Sequence, residues 1–287
     1  MSPTVHTDLH CHSTFSDGTL SPTELAQRAH ARGVQLWALT DHDEVAGLPQ
    51  AQQAAAQAGM DFLTGVEISV SFASTTVHIV GLGFDPLHPA LHDGLHALRN
   101  QRGPRAQAMA QQLEAVGIAH AYEGALRYVG NPALISRTHF ARFLVETGVC
   151  KDTYEVFRHY LVEGKPGYVP QRWASLKDCV QWIRAAQGVA VIAHPARYNL
   201  SANEEYALFS SFKDYGGQAV EVVTGSHAPH EYAVYAALAK SFGLAASRGS
   251  DFHSPQESKV DFGALPADPL GLQPVCDLLT DRIVHAA

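Results

Sequence analysis

The chain has 287 residues, a formal net charge of −8, 46% hydrophobic residues and 17% charged ones. Those proportions describe a globular protein that buries a real core, and the acidic balance argues against one that coats long nucleic acid. No apolar stretch approaches the roughly 18 residues of a membrane span, and the opening MSPTVHTDLH has no basic segment leading into an apolar run, so a cytoplasmic protein without membrane contact is expected.

A first strand is expected over Val5–His12. The helix after it has clear start and stop signals: Ser21 as N-cap, Pro22 at the first position, Glu24 closing a capping box, and Gly33 past the end. A second strand, Val34–Thr40, leads to an Ala/Gln-rich helix ending near Gly59, and strands are expected at Phe62–Val70 and Thr76–Phe84. The alternation resumes with a helix over Ser175–Gln187, a strand over Gly188–His194 and a helix around Asn203–Tyr215. Strands at Ala219–Val223 and Leu244–Ser250 flank one more helix. Repeated β-then-α units imply parallel strands with helices outside, and a (β/α) barrel needs about 250 residues.

Residues 99–172 interrupt this pattern: they read as mostly helical, an inserted cap between barrel segments 1–98 and 173–287. The insert holds ten Lys and Arg against six Asp and Glu, a balance of +4 that leaves −12 for the remainder. A basic cap over an acidic body suits an anionic substrate resting on cations bound below. Cys11, Cys150, Cys179 and Cys276 lie far apart with no C-x-x-C, so reduced thiols are expected rather than disulfides or a thiolate metal site.

The 17 histidines nearly match the 20 Lys and Arg, and histidine is the commonest metal ligand. In Asp8-Leu9-His10-Cys11-His12-Ser13-Thr14-Phe15-Ser16-Asp17-Gly18, strand alternation turns Asp8, His10 and His12 to one side and Leu9 and Cys11 to the other. Two imidazoles two residues apart at a strand's end can chelate one ion, with Asp8 deeper as an orienting group. Asp17-Gly18 brings a further carboxylate back over the strand end. Thr40-Asp41-His42-Asp43 again ends a strand on histidine, and Gly65-Val66-Glu67 sets a lone Glu among apolar residues, costly unless paired or metal-bound. His78 lies inside an apolar run, His194 closes Val191-Ile192-Ala193-His194-Pro195, and Asp251 and His253 share parity after Arg248-Gly249-Ser250. With nearly every strand ending in His, Asp or Glu, a metal site is the expectation.

The set H-x-H with the later S-D-G, T-D-H-D, G-V-E, A-H-P and G-S-D-x-H resembles the PHP (polymerase and histidinol phosphatase) family across essentially the whole chain. The resemblance implies an α/β fold, a distorted seven-stranded (β/α) barrel of the amidohydrolase-like type, and a trinuclear metal centre. It implies that His10, His12, Glu67 and Asp251 hold one ion, Asp17, His42 and His253 a second, and Glu67, His78 and His194 a third, with Glu67 bridging. Ligands of imidazole and carboxylate type suit Mn²⁺, Zn²⁺ or Fe²⁺ rather than Ca²⁺, with Mn²⁺ preferred. A metal-bridging hydroxide held among Glu67, Asp17 and Asp251 is the expected nucleophile on a phosphomonoester.

Within that family, Asn131, Ser136-Arg137-Thr138-His139-Phe140-Ala141-Arg142 and Glu163-Gly164-Lys165-Pro166-Gly167-Tyr168-Val169-Pro170 resemble the 3′,5′-nucleoside bisphosphate phosphatase subgroup, which also contains 5′-to-3′ exoribonucleases. Expected substrate contacts are Ser136, Arg137 as a bidentate phosphate fork, His139 as a donor to a phosphate or leaving oxygen, Lys165 as a point charge, and Arg248. Phe140, Tyr168 and Tyr198 are candidate base neighbours. The expected activity is removal of the 3′-phosphate from a small nucleotide such as 3′-phosphoadenosine 5′-phosphate. The alternatives are trimming of short 5′-phosphorylated RNA, histidinol phosphate hydrolysis, or, in another class, a non-catalytic metal-bound module.

Overall fold

The computed structural model describes residues 6–269 and 271–286, so Val5, the expected start of the first strand, lies outside the described residues. The first half runs β1 (Thr7–Asp8), α1 (Pro22–Ala31), β2 (Leu36–Leu39), α2 (Leu48–Ala58), β3 (Asp61–Phe72) and β4 (Thr75–Leu82). A helical stretch follows: α3 (Pro89–Ala115), α4 (Ala121–Leu126), α5 (Arg137–Glu146), α6 (Thr153–Val156) and a π-helical turn over Phe157–Leu161. The chain then returns as β5 (Ala174–Ser175), α7 (Leu176–Ala185), β6 (Val189–Ile192), α8 (Ala202–Asp214), β7 (Ala219–Thr224), α9 (Glu231–Phe242) and β8 (Ala245–Gly249).

Local chemistry accounts for the helix boundaries. In α1 the Ser21 Oγ accepts from the Glu24 N–H at 3.3 Å while the Ser21 N–H donates to Glu24 Oε2 at 2.8 Å, so two otherwise unpaired donors are satisfied reciprocally. Chain reversal after α2 uses Gly59 in the left-handed region, φ 73°.

The sheet order is β1-β2-β3-β4-β6-β7-β8, with β5 paired to the far end of β3. Residues flanking β1 and β8 bring the ring nearly to closure: Leu9 N donates to Arg248 O at 3.0 Å, Asp251 N to His10 O at 2.8 Å, and His12 N to Phe252 O at 2.8 Å. Most pairs are parallel, but β4 runs antiparallel to both β3 and β6, against the expectation of an all-parallel sheet. The reason is the connection. Only Ala73 and Ser74 separate β3 from β4, both at positive φ (46° and 64°), the geometry of a two-residue hairpin that leaves no room for a crossover helix.

Inside the ring, Leu36, Ala38, Leu63, Val80, Leu82, Val189, Val191, Ala219 and Ala245 form a buried plug of alternate strand residues. The opposite parity, including Trp37, Leu39, Val66, Ile68 and Val220, packs against the helices in the main outer core. β1 is only two residues long, and the parity expected beyond it fails for the apolar pair: Leu9 joins the inner plug and Cys11 the outer core. At Gly249 a Cβ would lie 2.3 Å from His10 Cβ, so glycine is what lets the two closing segments meet.

Residues Ala106 to Leu161 contribute a separate hydrophobic cluster. Helix α3 serves both cores: Leu91, Leu95 and Leu98 pack on the barrel, whereas Ala106, Met109, Ala110 and Leu113 pack in the insert. No helix among the described residues is long and apolar enough to cross a membrane.

Candidate metal centre

Polar residues continue the strands exactly where the apolar plug stops, at one end of the barrel. His10 and His12 follow β1, Asp17 lies in the next loop, His42 follows β2, and His194 follows β6. Asp251 and His253 follow β8. Glu67 and Glu221 take inward positions on β3 and β7, two steps past Leu63 and one step past Ala219 in the same alternation. His78 reaches this end only because β4 is reversed, which carries the first half of that strand to the level where its neighbours finish.

Six imidazoles and three carboxylates converge in overlapping groups whose candidate donor atoms lie within 4.8 Å of one another: His12, Asp17, His42 and His253; His10, Glu67 and His194; His10, His12 and Asp251; and His42, Glu67 and His78. Glu67 is central and fully buried. Its Oε1 lies 2.8 Å from His194 Nε2 and 2.9 Å from His78 Nδ1, and its Oε2 lies 2.9 Å from His42 Nδ1 and 3.3 Å from His12 Nε2. Asp251 Oδ1 lies 3.4 Å from His12 Nε2, and Asp17 Oδ1 3.5 Å from His253 Nε2.

His12 Nδ1, Asp17 Oδ1, Glu67 Oε2 and Asp251 Oδ1 are buried without a directed hydrogen bond. Such atoms are costly in a low-dielectric interior unless a cation meets them, and the oxygen-and-nitrogen donor set suits divalent ions. The electrostatics show how strongly the three carboxylates draw positive charge to this site. Burial works against ionisation of Glu67, Asp17 and Asp251, yet the surrounding histidines hold all three well below the usual carboxylate range. Burial also opposes a charged His12, but Asp251 and Glu67 outweigh it and raise its pKa to about 10. At His78 and His253 burial dominates and lowers the pKa to about 4, which leaves neutral imidazoles able to donate a lone pair.

A set of polar clamps fixes these groups. Asp41 accepts from Ser13 N at 2.7 Å, Ser13 Oγ at 2.6 Å and Ser16 Oγ at 2.6 Å, holding the loop that carries Asp17. Asp43 turns the other way, accepting from Ser69 N at 2.8 Å and pairing with Arg102. From the insert, Thr138 Oγ1 donates to Asp17 Oδ2 at 3.0 Å. Arg142 forks onto Glu257 at 2.9 and 2.6 Å and reaches Asp17 O at 2.7 Å. Asp8 accepts from Ser250 N at 2.9 Å, and burial raises its pKa to about 6. His194, Asp43 and Asp251 all adopt positive φ (25°, 52° and 55°), a strain of about 1–3 kcal/mol each that the packing must sustain.

Glu221 was not anticipated from the sequence. Its Oε1 accepts from His10 Nδ1 at 2.8 Å and its Oε2 from the His194 N–H at 2.6 Å, so one buried carboxylate orients a histidine from each side of the ring. The signal was present: a lone Glu inside Ala-Val-Glu-Val-Val is the same pattern that singles out Glu67.

A cleft lies between the cluster and the insert. One lobe, about 120 Å³, is lined by Arg102, Arg105, Arg137 and Arg197 together with Ser136, Phe157 and Trp173. Neither Arg105 nor Arg137 forms an ion pair among the described residues. Burial, reinforced by Arg137 and Arg102, depresses the pKa of Arg105 to about 10, a repulsion that an anion would relieve. A second lobe, about 350 Å³, opens past Asp251 and His253 toward Thr153, Ser226 and Lys259.

Of the expected substrate contacts, the structure places Ser136 and Arg137 in the cleft wall. His139 is fully buried, and its Nδ1 accepts from the Ser136 N–H at 2.9 Å, so it caps α5. Lys165 is exposed on the loop after the π-turn and lines neither lobe. Arg248 is an outward-parity residue of β8 that pairs with Asp268 at 3.4 Å, away from the cleft. Phe140 is buried in the insert core, Tyr168 lines neither lobe, and Tyr198 donates its hydroxyl to Ala193 O at 2.7 Å. The aromatic rings on the cleft are Phe157 and Trp173. Arg102, Arg105 and Arg197 had no local sequence signal, since only the packing of the insert on the barrel brings them together.

Known proteins have similar sequences and structures. A PHP domain matches residues 8–184. The chain is 51% identical over 280 residues to the 3′,5′-nucleoside bisphosphate phosphatase of Chromobacterium violaceum, with 98% of each chain covered. It is 42% identical over 248 residues to the 5′-3′ exoribonuclease of Haemophilus influenzae, covering 86% of this chain and 90% of that one. Among solved structures, an amidohydrolase from Chromobacterium violaceum with bound sulfate has a TM-score of 0.96 and 50% identity over 98% of both chains.

Proposed function

Because the chain belongs to the PHP domain family, we propose that it is a metal-dependent phosphatase that removes the 3′-phosphate of 3′,5′-nucleoside bisphosphates and leaves the nucleoside 5′-monophosphate. The observation that carries this reading is the juxtaposition of the nine-donor cluster with two guanidiniums, Arg105 and Arg137, that have no acidic partner. A substrate with two phosphates satisfies both halves at once. The relative at 51% identity bears the name of this activity.

The proposed ligands are His10, His12, Asp17, His42, Glu67, His78, His194, Asp251 and His253, holding three ions, with Mn²⁺ favoured by the carboxylates and by hard phosphoryl oxygens. When bound, such ions offset charge on a transferring phosphoryl group and make water a nucleophile at neutral pH. The protein's own part is positional. Glu221 and Asp8 fix the H-x-H segment, Thr138 and Arg142 fix Asp17, and the buried barrel end excludes bulk water from the carboxylates. Arg137 and Arg105 hold the 5′-phosphate by charge-assisted hydrogen bonds, and Arg197, 3.0 Å from Asp251 Oδ2, keeps its remaining donors for the 3′-phosphoryl oxygens. The proposed setting is the cytoplasm, where the four free cysteines stay reduced.

The test is phosphate release from 3′-phosphoadenosine 5′-phosphate by Mn²⁺-loaded protein, with AMP identified as product and His194→Ala as control. Release that survives the substitution unchanged, or no release at all, rejects the assignment.

A further inference from the structure

Strands β4 and β6 pair antiparallel as far as Ile79 and Ile192, and the next rung joins His78 to Ala193. Ala193 N donates to His78 O at 3.1 Å, as in a rung where two opposed residues exchange both bonds. The return bond is not direct. His78 N donates to the Tyr198 hydroxyl at 2.8 Å, and that hydroxyl donates to Ala193 O at 2.7 Å. One side-chain oxygen is therefore spliced into the ladder where the two strands part at the metal end. Tyr198 closes the 3₁₀ turn Pro195–Tyr198, which is pinned elsewhere too: Ala196 N donates to His227 Nε2 at 3.3 Å, and Arg197 pairs with Asp251 at 3.0 Å. The Tyr198 ring stands edge-on to His194, with centroids 5.6 Å apart. Tyr198 is buried and lines neither lobe, so its hydroxyl serves the backbone rather than the cleft.

The two segments it joins carry imidazoles that meet at one atom: His78 Nδ1 and His194 Nε2 lie 2.9 and 2.8 Å from Glu67 Oε1. Building on the metal-dependent phosphatase reading, we propose that Tyr198 is a positioning residue for the ion shared by Glu67, His78 and His194. Its hydroxyl sets the separation of β4 from the end of β6, and with it the gap between the two imidazoles. Without the hydroxyl, the His78 N–H and Ala193 O either bond to each other or lose a partner inside the barrel wall. Direct bonding draws β4 toward the end of β6, and an unpaired rung loosens it. In both cases His78 shifts relative to His194, whose N–H stays fixed on Glu221. His10, His12, Asp17, His42, Asp251 and His253 lie on segments that follow β1, β2 and β8 and do not use this rung. The loss therefore falls on one ion.

Tyr198→Phe keeps the ring and removes only the hydroxyl. Metal-free wild type and variant are titrated with Mn²⁺ by calorimetry, bound metal is counted by elemental analysis, and circular dichroism verifies the fold. The wild type should hold three ions. The variant should hold two with unchanged affinity and the third at least about tenfold more weakly. Its release of phosphate from 3′-phosphoadenosine 5′-phosphate should fall at limiting Mn²⁺ and return in excess Mn²⁺, a rescue that a general loss of stability would not give. Three results overturn the role of the hydroxyl: a wild type that binds fewer than three ions, a folded variant that binds all three as the wild type does, or an equal weakening of every ion. Activity that excess Mn²⁺ fails to restore overturns it too. Should Tyr198→Phe not fold, Tyr198→4-aminophenylalanine replaces it, since its amine donates to Ala193 O but accepts poorly from the His78 N–H, and the same selective loss is expected. If the wild type releases no phosphate, the phosphatase reading falls while the ion counts still decide the role of Tyr198.

Discussion

Replacing Glu221 by Gln would isolate the contribution of a buried carboxylate that sits outside the ligand groups yet orients two of their members. The native side chain offers one oxygen to His10 Nδ1 at 2.8 Å and the other to the His194 N–H at 2.6 Å. Glutamine keeps the shape but turns one acceptor into a donor, so one partner meets an N–H instead of an oxygen. It also removes a charge. Burial opposes protonation of His10, and Glu221 leads the carboxylates that overcome it and hold that pKa well above its ordinary value. Without this partner the ring is less basic and less well aimed. Loss of such a histidine partner typically weakens metal binding about 10–100-fold, equivalent to about 1.4–2.8 kcal/mol. Competition against a fluorescent chelator gives the Mn²⁺ affinity directly, and circular dichroism verifies that the fold persists. An affinity indistinguishable from the wild type's in a folded Glu221→Gln protein would refute the reasoning, because it would mean the ring needs no partner to bind.

Three other perturbations follow from the same structure. Arg102→Met strips the counter-charge from the fully buried Asp43 and should cost about 3–5 kcal/mol, seen as a fall in melting temperature on the order of 10 °C; an unchanged melting temperature would show that Ser69 alone suffices. Burial disfavours ionised Asp261, but bidentate bonds from Arg28 at 2.9 and 2.8 Å prevail and lower its pKa. Its stabilisation is therefore present above the unfolded value of 3.8 and lost as pH falls through the lower folded value, so denaturant titrations should show Arg28→Ala about 1 kcal/mol weaker at neutral pH and equal to wild type in strong acid. Saturating the centre with Mn²⁺ at about 100 times its dissociation constant should stabilise the protein by about 2.7 kcal/mol, measured as a rise in melting temperature that His194→Ala diminishes.

Much of this protein is written locally. The capping box of α1, the left-handed Gly59 after α2 and the apolar runs that become β2, β6, β7 and β8 follow from neighbours in the chain, and so does the appearance of His, Asp or Glu where those runs end. These signals work because capping, backbone freedom and side-chain alternation act over a few residues. Pairing direction does not. The reversal of β4 depends on a two-residue hairpin and on β6 docking against its other edge, and it is this reversal that brings His78 to the metal end. Solvent-facing and cleft-facing cations also look alike in a linear chain: Lys165 and Arg248 stand beside suggestive motifs but face elsewhere, while Arg102, Arg105 and Arg197 converge from α3 and a 3₁₀ turn after β6, 92 residues apart at closest, Arg105 to Arg197. The residue types and their spacing along each strand determined that strands alternating with helices would end in metal-ligating side chains. Which charges share the cleft was decided only when the insert packed across the open end, because electrostatic proximity is a property of three-dimensional distance.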